Sequence, residues 1–357
     1  MSKKKIPQTL QELIQAAKDQ LPIDKWDYLM GGSETETTLK RNRQGLDRLA
    51  FKPRVLTEVR SLDLSTQLLD QSCRLPVVLP PIGSVQMFDS GGGAAVAKAA
   101  AEFGVPQILS SVCEPDFETV AQEVGGEKIY QLYLMGDEAW MDERIQRAID
   151  SGYSGFCLTV DTQVYSRRER DILKGFVPPS GSTIGNRSFE QDVMTWETVA
   201  HIKSKFDIPL FIKGINVAED AERAVEAGVD VVYVSNHGGR QLDHGRACID
   251  ALPEVVAAVA GRAPVWVDGG FMRGSDVVKG LCLGASAVGV GRLHALALAA
   301  GGVQGIVRAL EILEHEIRTC VQLLGVSKLQ DLNPEYLVAD ESVSRPGSLS
   351  AFPLLDE

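Results

Sequence analysis

The sequence predicts an α/β protein built on a closed (β/α)8 (TIM) barrel, because eight short apolar runs alternate with helical patterns between residues 75 and 290. The runs are rich in Val, Ile and Leu and show little polar–apolar alternation, which is typical of parallel strands buried on both faces. An open doubly wound sheet is the alternative. It is less favoured because no GxGxxG motif follows the first run.

The eight predicted strands have definite places in the sequence. They cover residues 75–79, 107–109, 128–133, 155–160, 209–213, 231–234, 264–268 and 287–290. Segments with apolar residues three and four positions apart lie between them, as expected for helices that pack on a barrel. Several of these segments end directly before glycine, at Phe103, Ala227 and Leu283.

Residues 1–74 precede the barrel and are predicted to form a helical extension and linker that pack on it. Helical patterns cover residues 10–21 and 24–30, and residues 51–56 are expected to be extended around Pro53. The barrel unit is assigned to residues 75–357. Its connection at residues 175–194 is rich in Gly, Ser and Pro, which predicts a mobile lid or a disordered loop. The residues after Asn333 are expected to form a C-terminal tail.

Charge and cysteine content exclude several classes of partner. The net charge of −12 argues against a nucleic-acid partner. No continuous apolar run reaches the ~18 residues that would span a bilayer, so no membrane association is expected. The six cysteines are far apart, with no CxxC pair and no Cys/His cluster of metal-binding spacing. We therefore expect a reduced cytoplasmic protein without a metal site.

Polar residues follow most of the predicted strands, and in such barrels the carboxyl ends of all strands meet at one mouth. The residues in question are Ser110, Gln131, Tyr133, Thr159, Asp161, Lys213, Ser235, His237, Arg240, Asp268 and Arg292. Glycine pairs follow the seventh and eighth strands, where barrels of this kind usually bind phosphate. Backbone N–H groups beside Gly270 and Gly291, together with Arg292, can hold one phosphate dianion there. Two ordinary tight turns are the structural alternative.

The charged candidate site residues can also be explained without a functional role. Asp161 can cap a helix, and Arg168 can belong to a solvated cluster of alternating charge. Lys213 is harder to explain in this way, because an ammonium at the mouth of a barrel needs an anionic partner. His237 directly follows a buried strand and precedes two glycines, which favours a functional role. The other histidines lack such surroundings and are expected to be ordinary polar residues: His201, His244, His294 and His315.

The nonapeptide at residues 235–243, Ser-Asn-His-Gly-Gly-Arg-Gln-Leu-Asp, resembles the active-site signature of the FMN-dependent α-hydroxy acid oxidases and dehydrogenases. This family includes glycolate oxidase, lactate oxidase and mandelate dehydrogenase. The likeness extends from about residue 21 to the C-terminal region. Shorter matches occur in the same order at residues 27–28, 51–54, 131–133, 159–162, 168–171, 213–214, 268–270 and 291–292.

The resemblance implies that the chain binds FMN and oxidises an L-2-hydroxy acid to the 2-oxo acid, with hydride passing to flavin N5. The alternative, in which a proton leaves the carbon first, stays open at this point. It implies that His237 is the catalytic base and that Asp161 pairs with it and favours its imidazolium form. Tyr133 is expected to contact the substrate hydroxyl. An arginine fork suits a carboxylate, and a histidine suits proton transfer near neutral pH. The substrate carboxylate is accordingly assigned to Arg240, Arg168 and Tyr28.

The resemblance also implies a set of cofactor contacts. Lys213 is expected beside flavin N1 and the C2 carbonyl, where a fixed cation stabilises the charge that gathers on reduction. Ser110, Gln131 and Thr159 are expected at the isoalloxazine ring. The other implied cofactor-binding residues are Pro81, Ile82, Gly83, Ser235, Asp268, Gly270, Arg273, Gly291 and Arg292.

Four features depart from the family pattern. Met272 stands where the family usually has an arginine that helps to hold the phosphate, so Arg292 must do more or Arg273 must turn inward. Gly83 replaces a common alanine and resembles the dehydrogenase type. Val112 replaces a bulky tryptophan, which favours larger substrate side chains. The predicted lid is short for the family.

Alternatives to an oxidase remain open at this point. A related enzyme would pass electrons to a quinone or a carrier instead of oxygen. A non-redox FMN barrel, such as the type 2 isopentenyl diphosphate isomerase, is less favoured because an isomerase needs no carboxylate clamp. A catalytically silent barrel is disfavoured because His237, Asp161, Arg240 and Lys213 are all present. The family also implies a homotetramer.

Overall fold

The structure is a computed structural model that describes residues 6–179, 193–343 and 345–355. Its strands are, in chain order, β1 (Leu49–Phe51), β2 (Thr66–Leu68), β3 (Gln71–Cys73), β4 (Val77–Val78), β5 (Gln107–Ser110), β6 (Lys128–Leu132), β7 (Gly155–Thr159), β8 (Leu210–Ile215), β9 (Val231–Val234), β10 (Val265–Val267), β11 (Ala287–Gly289) and β12 (Leu337–Ala339).

Strands β4 to β11 form one parallel sheet in which each strand from β5 to β10 pairs with the next one in sequence, and β11 also pairs with β4. A parallel bridge between Leu79 and Gln107 joins the remaining two edges. The sheet therefore closes, and the predicted (β/α)8 barrel is confirmed. The eight strands lie where the apolar runs predicted them, with ends that differ by no more than two residues.

A helix follows every barrel strand. Polar side chains start several of them: the Asp116 and Asp137 carboxylates accept hydrogen bonds from the first turns of their helices. Gly104 ends another at a φ of 90°, which a side chain would disfavour. The helices are Leu10–Gln20, Ile23–Met30, Thr37–Asp47, Gly92–Phe103, Phe117–Glu123, Glu138–Asp150, Glu169–Leu173, Trp196–Lys205, Ala218–Glu226, Cys248–Val259, Gly274–Cys282 and Gly291–Leu323.

Large side chains fill the interior of the barrel. Trp266 packs edge-on against Phe211 and Tyr233, with ring centroids 5.0 and 6.0 Å apart. The β2–β3 hairpin adds Leu68 and Cys73 to this same interior cluster. A second, larger cluster joins the outer face of the barrel to the helices. Open space is therefore left at the carboxyl ends of the strands.

The N-terminal extension is integrated with the rest of the chain. The two predicted helices are present, and the helix Leu10–Gln20 packs along the helix Gly291–Leu323. Strand β1 pairs antiparallel with β12. The sequence did not predict the helix Thr37–Asp47, whose buried residues include polar ones and which therefore has no apolar stripe. The division at residue 74 stays a prediction, since both parts contribute to one core.

The helix Gly291–Leu323 is long and apolar enough to cross a membrane by length and composition alone. In its most apolar window, 61% of the residues are buried inside the protein, as expected for a core helix. The backbone is non-helical at Gly301 and Gly302, which divide it into two segments.

Most of the predicted lid at residues 175–194 lies outside the described residues, which leave out residues 180–192. Whether that connection is a lid stays a prediction. The segment before it begins as a short helix, Glu169–Leu173.

A buried ion pair fastens the helix Thr37–Asp47 to the barrel. The Arg43 guanidinium donates two hydrogen bonds of 2.7 Å to the Asp276 carboxylate and a third to the Gly270 carbonyl oxygen. Burial alone would raise the pKa of Asp276, but the attraction of Arg43 outweighs it and lowers the pKa. Asp276 also accepts hydrogen bonds from the N–H groups of Met272 and Arg273.

Replacing Arg43 with methionine should therefore lower the free energy of unfolding by about 3–5 kcal/mol, because it leaves the Asp276 carboxylate buried without its cation. Arg48 offers a matched control, since its 2.7 Å pair with Asp250 is largely exposed. The Arg48→Met variant should lose about 0–1 kcal/mol. Urea unfolding followed by circular dichroism compares the two. Equal losses of unfolding free energy in the two variants would show that burying the Arg43–Asp276 pair does not add to its contribution to stability.

Candidate active site

One large cavity opens at the carboxyl ends of the barrel strands. It encloses about 1340 Å³ including its open mouth. Residues from the ends of β6, β8, β9, β10 and β11 line it, and the N-terminal extension contributes Tyr28, Leu39, Asn42 and Arg43. The predicted gathering of polar strand ends at one mouth is thus seen in the structure.

A histidine held between two polar groups lies in this cavity. His237 Nδ1 is 3.1 Å from Asp161 Oδ1, and its Nε2 is 3.3 Å from the Tyr133 hydroxyl oxygen. A carboxylate can only accept, so the imidazole proton belongs on Nδ1. This leaves the lone pair of Nε2 directed into the cavity beside Tyr133.

Burial keeps the imidazole of His237 neutral, against the attraction of Asp161. Removal from water lowers the pKa of His237 from its usual 6.5, and attraction to Asp161 offsets this only in part. Burial would raise the pKa of Asp161, but His237 and Lys213 reverse the direction and hold it below its usual value. Burial raises the pKa of Tyr133, so its hydroxyl keeps its proton. Asp161 therefore favours the imidazolium form, as predicted, without imposing it in the resting protein.

The loop that carries His237 has an uncommon backbone. His237 has a φ of 58°, and Gly238 and Gly239 follow at 65° and 77°. A Cβ atom on Gly239 would lie 2.5 Å from the backbone nitrogen of Leu39, so only glycine permits this packing against the helix Thr37–Asp47.

A reciprocal amide pair fixes the start of this loop. Asn236 Nδ2 donates to Asn42 Oδ1 and Asn42 Nδ2 donates to Asn236 Oδ1, both at 2.8 Å. Asn236 Oδ1 also accepts a hydrogen bond from the N–H of Gly239. Sequence reasoning missed Asn42 because it lies in an unpredicted helix about 190 residues before its partner.

Two arginines flank the aromatic ring of Tyr28. The guanidinium carbon of Arg240 is 4.7 Å from the ring centroid, and that of Arg168 is 6.0 Å away. Arg240 donates to the backbone carbonyls of Tyr28 and Gly31, and Arg168 donates to the Tyr165 hydroxyl at 2.9 Å. Within residues 6–179, 193–343 and 345–355, neither makes an ion pair with a carboxylate. The predicted carboxylate-binding residues are thus brought together, and Tyr165 joins them unpredicted.

Lys213 is a buried residue of the cavity wall, and its ammonium has hydrogen-bond partners. Its ammonium donates to Ser235 Oγ at 2.8 Å, and Ser235 in turn donates to Asp268 Oδ1 at 2.6 Å. Burial would lower the pKa of Lys213, but Asp268 and Asp161 raise it above its usual value. The lysine therefore stays charged and fixed in place, and its position beside flavin N1 stays a prediction.

Gly270 and Gly291, at the predicted phosphate position, line the opposite part of the cavity. A Cβ on Gly291 would have only one neighbour, Pro80 at 3.5 Å, so the backbone there is open to a ligand. Arg292 donates to the carbonyl oxygens of Leu29, Gly31 and Gly238. Removal from water and repulsion by Arg240 lower the pKa of Arg292 to about 9, and attraction to Glu36 offsets this only in part.

Arg273 does not reach the cavity, contrary to the expectation that it turns inward. Its guanidinium pairs with Glu316 at 2.6 Å and donates to the Ala351 carbonyl oxygen. Met272 lines the cavity instead, with only 4% of its surface exposed. Arg273 begins the helix Gly274–Cys282, and this geometry directs its side chain toward the neighbouring helix and the C-terminal segment.

The remaining predicted cofactor contacts lie at or just beneath the cavity wall. Ser110, Gln131, Thr159 and Ser235 are buried at strand ends, while Pro81, Ile82 and Gly83 form part of the wall itself. Among the described residues, the amide oxygen and nitrogen of Gln131 have no hydrogen-bond partner. A buried amide without partners is costly. A flavin ring edge, which offers both donors and acceptors, would satisfy it, so the residues present fit FMN.

Two departures from the family pattern are in contact with each other. A Cβ atom on Gly83 would lie 2.7 Å from Val112 Cγ2, so Val112 would have to move before an alanine could fit there. Gly83 and Val112 therefore form a matched pair at one wall of the cavity.

Comparison with known proteins places this site in a family. A family model described as FMN-dependent dehydrogenase matches residues 17–339. L-lactate oxidase of Nostoc sp. is 37% identical over 93% of this chain and 98% of its own length. The peroxisomal (S)-2-hydroxy-acid oxidase of Oryza sativa subsp. japonica is 38% identical over 94% and 97%. 4-Hydroxymandelate oxidase of Amycolatopsis orientalis is 38% identical over 89% and 94%.

Solved structures give the same result. A crystal structure of mandelate oxidase superimposes with a TM-score of 0.88 at 37% identity, covering 94% of this chain and 99% of that one. A mutant of the active chimera of (S)-mandelate dehydrogenase gives a TM-score of 0.87 at 32% identity, covering 92% and 99%. The chain therefore belongs to the family of FMN-dependent dehydrogenases, and FMN is its cofactor.

Proposed function

We propose that this enzyme oxidises an (S)-2-hydroxy acid to the corresponding 2-oxo acid. The observation that carries the proposal is the pair Arg168 and Arg240, which form no ion pair with any carboxylate that the structure describes and line the same cavity as the neutral base His237. Two guanidinium groups on one side of a cavity suit a carboxylate, and a base near them suits a hydroxyl on the adjacent carbon.

The reaction removes two electrons and two protons from the substrate: one hydrogen leaves the carbon that bears the hydroxyl, and the other leaves the hydroxyl oxygen. FMN, when bound, supplies the acceptor for the two electrons. His237 Nε2 receives the hydroxyl proton, and Tyr133 lies 3.3 Å away, where its hydroxyl can orient the same oxygen. Asp161 then stabilises the imidazolium that has formed.

The wall around this site favours a substrate with an apolar side chain larger than a methyl group. Ile82 and Val112 present apolar surface, and Tyr165 adds an aromatic ring at the rim. The similarity to 4-hydroxymandelate oxidase and mandelate oxidase supports an aromatic or branched side chain.

Oxygen is the proposed electron acceptor, supported by the oxidase names of the similar proteins. A quinone or a carrier is the competing acceptor, supported by Gly83, which resembles the dehydrogenase type. We also propose a homotetramer, as the family resemblance implies. A reducing cytoplasmic location is supported by the six cysteines, all of which are free thiols.

The yellow holoenzyme should bleach anaerobically with (S)-mandelate or another (S)-2-hydroxy acid. The His237→Ala variant should keep its flavin spectrum but be reduced at least about 10²- to 10⁴-fold more slowly, because it lacks the base. Rapid mixing measures both rates. Bleaching of wild type by none of a panel of 2-hydroxy acids would contradict the proposed function, and a near-normal rate in the variant would contradict the role of His237.

Arg240→Lys should weaken substrate binding by about 10- to 100-fold, because lysine keeps the charge but loses the planar fork. Arg170→Lys is a matched control, since Arg170 pairs with Glu36 and Asp27 and does not line the cavity. The apparent dissociation constant from the concentration dependence of flavin reduction is the measurement. If both variants bind substrate equally well, Arg240 does not clamp the carboxylate.

The activity should depend on pH through His237. The base must be neutral, and its pKa is lowered, so kcat/KM should fall only below about pH 6.5. Asp161→Asn removes an interaction that raises this pKa, so the acid limb should move to lower pH while kcat/KM drops by about 100-fold. An acid limb that moves to higher pH would show that Asp161 does not act on His237.

A further inference from the structure

The C-terminal segment, residues 345–355, docks beside the phosphate side of the cavity. Phe352 is fully buried, and the Arg273 guanidinium lies 5.8 Å from the centre of its ring. Arg273 also donates to the Ala351 carbonyl oxygen, and the N–H of Leu354 donates to Gln11 Oε1 at 2.8 Å. The segment is therefore held by one buried aromatic anchor and by polar contacts on both sides of it.

This docking brings two tail residues into the cavity wall. Gly347 and Ser348 line the same cavity as Gly270, Met272 and Gly291. Ser350 fixes the turn around them, since its hydroxyl donates to the Gly347 carbonyl oxygen at 3.0 Å. The Ser348 hydroxyl is half-buried and makes no hydrogen bond with any residue that the structure describes.

The part of the cavity near Gly270 and Gly291, the predicted phosphate position, has few side-chain hydrogen-bond donors among the described residues. Arg43 is committed to Asp276 and Asp47, and Met272 is apolar. Arg273 holds Glu316 and the tail. Arg292 is left as the cation that is near these glycines and has no carboxylate partner among the described residues. A phosphate dianion carries three strong acceptor oxygens and is best held by several donors.

We infer that the tail completes the cofactor site, with the Ser348 hydroxyl donating a hydrogen bond to the FMN phosphate. Arg273 acts indirectly: it positions the tail through Ala351 and Phe352 instead of binding the phosphate itself. FMN binding and tail docking are then coupled, each stabilising the other. The inference rests on the family's cofactor and not on the proposed substrate, so either can fail alone.

The test uses Ser348→Ala, with Ser348→Thr as the matched control that keeps the hydroxyl. Dilution of each holoenzyme, followed by the fluorescence of released flavin, gives the dissociation constant for FMN. The same proteins exchanged into riboflavin, which lacks the phosphate, give a second constant. Ser348→Ala should weaken FMN binding about tenfold, as for one hydrogen bond to a charged group, and leave riboflavin binding within about twofold. Ser348→Thr should stay within about threefold for both flavins.

Amide hydrogen exchange of the full-length holoenzyme tests the coupling separately. Peptides that cover residues 347–352 should exchange more slowly with FMN bound than with riboflavin bound, and Ser348→Ala should remove that difference. An unchanged FMN constant in Ser348→Ala would overturn the inference. An equal loss for FMN and riboflavin would also overturn it, because the serine would then act on the fold of the tail and not on the phosphate.

Discussion

The active site depends on a cluster of positively charged side chains at one mouth of the barrel. Among the described residues, Arg168, Arg240 and Arg292 form no ion pair and are held by carbonyl oxygens, hydroxyls and a tyrosine ring, whereas Lys213 lies 3.5 Å from the Asp268 carboxylate. Burial lowers the pKa values of Arg240 and Arg292, and repulsion from the neighbouring arginines lowers them further. Anionic ligands relieve this repulsion, so the same charges that weaken the empty fold give it affinity for a phosphate and a carboxylate.

The cations and the base stay in position because the N-terminal extension braces the loops that carry them. The helix Thr37–Asp47 holds the His237 loop through Asn42 and the loop after β10 through Arg43. Both contacts are buried and fully hydrogen-bonded, which makes them specific as well as strong. The extension is therefore part of the active site, although it supplies few of the groups that face a substrate.

The sequence predicted the barrel well, because strands buried on both faces must be apolar and their spacing repeats. It also predicted which strand-end residues meet, since barrel closure brings all carboxyl ends together. It could not predict the polar helix Thr37–Asp47, whose burial depends on partners far along the chain. Nor could it decide whether Met272 or Arg273 faces the cavity. The direction of these two adjacent side chains depends on the helix that starts there and on the C-terminal segment that Arg273 contacts.

The pairing of β1 with β12 joins residues almost 290 positions apart, Phe51 with Leu337 and Leu49 with Ala339. Likewise, the helix Leu10–Gln20 packs on a helix that ends at Leu323. During synthesis, β1 and the helix Leu10–Gln20 emerge long before their partners. Their apolar surface stays exposed until the last barrel strand and the helix after it have been made. The enzyme can therefore complete its fold only after the helix Gly291–Leu323 and β12 have been synthesised, and not when any single βα unit forms.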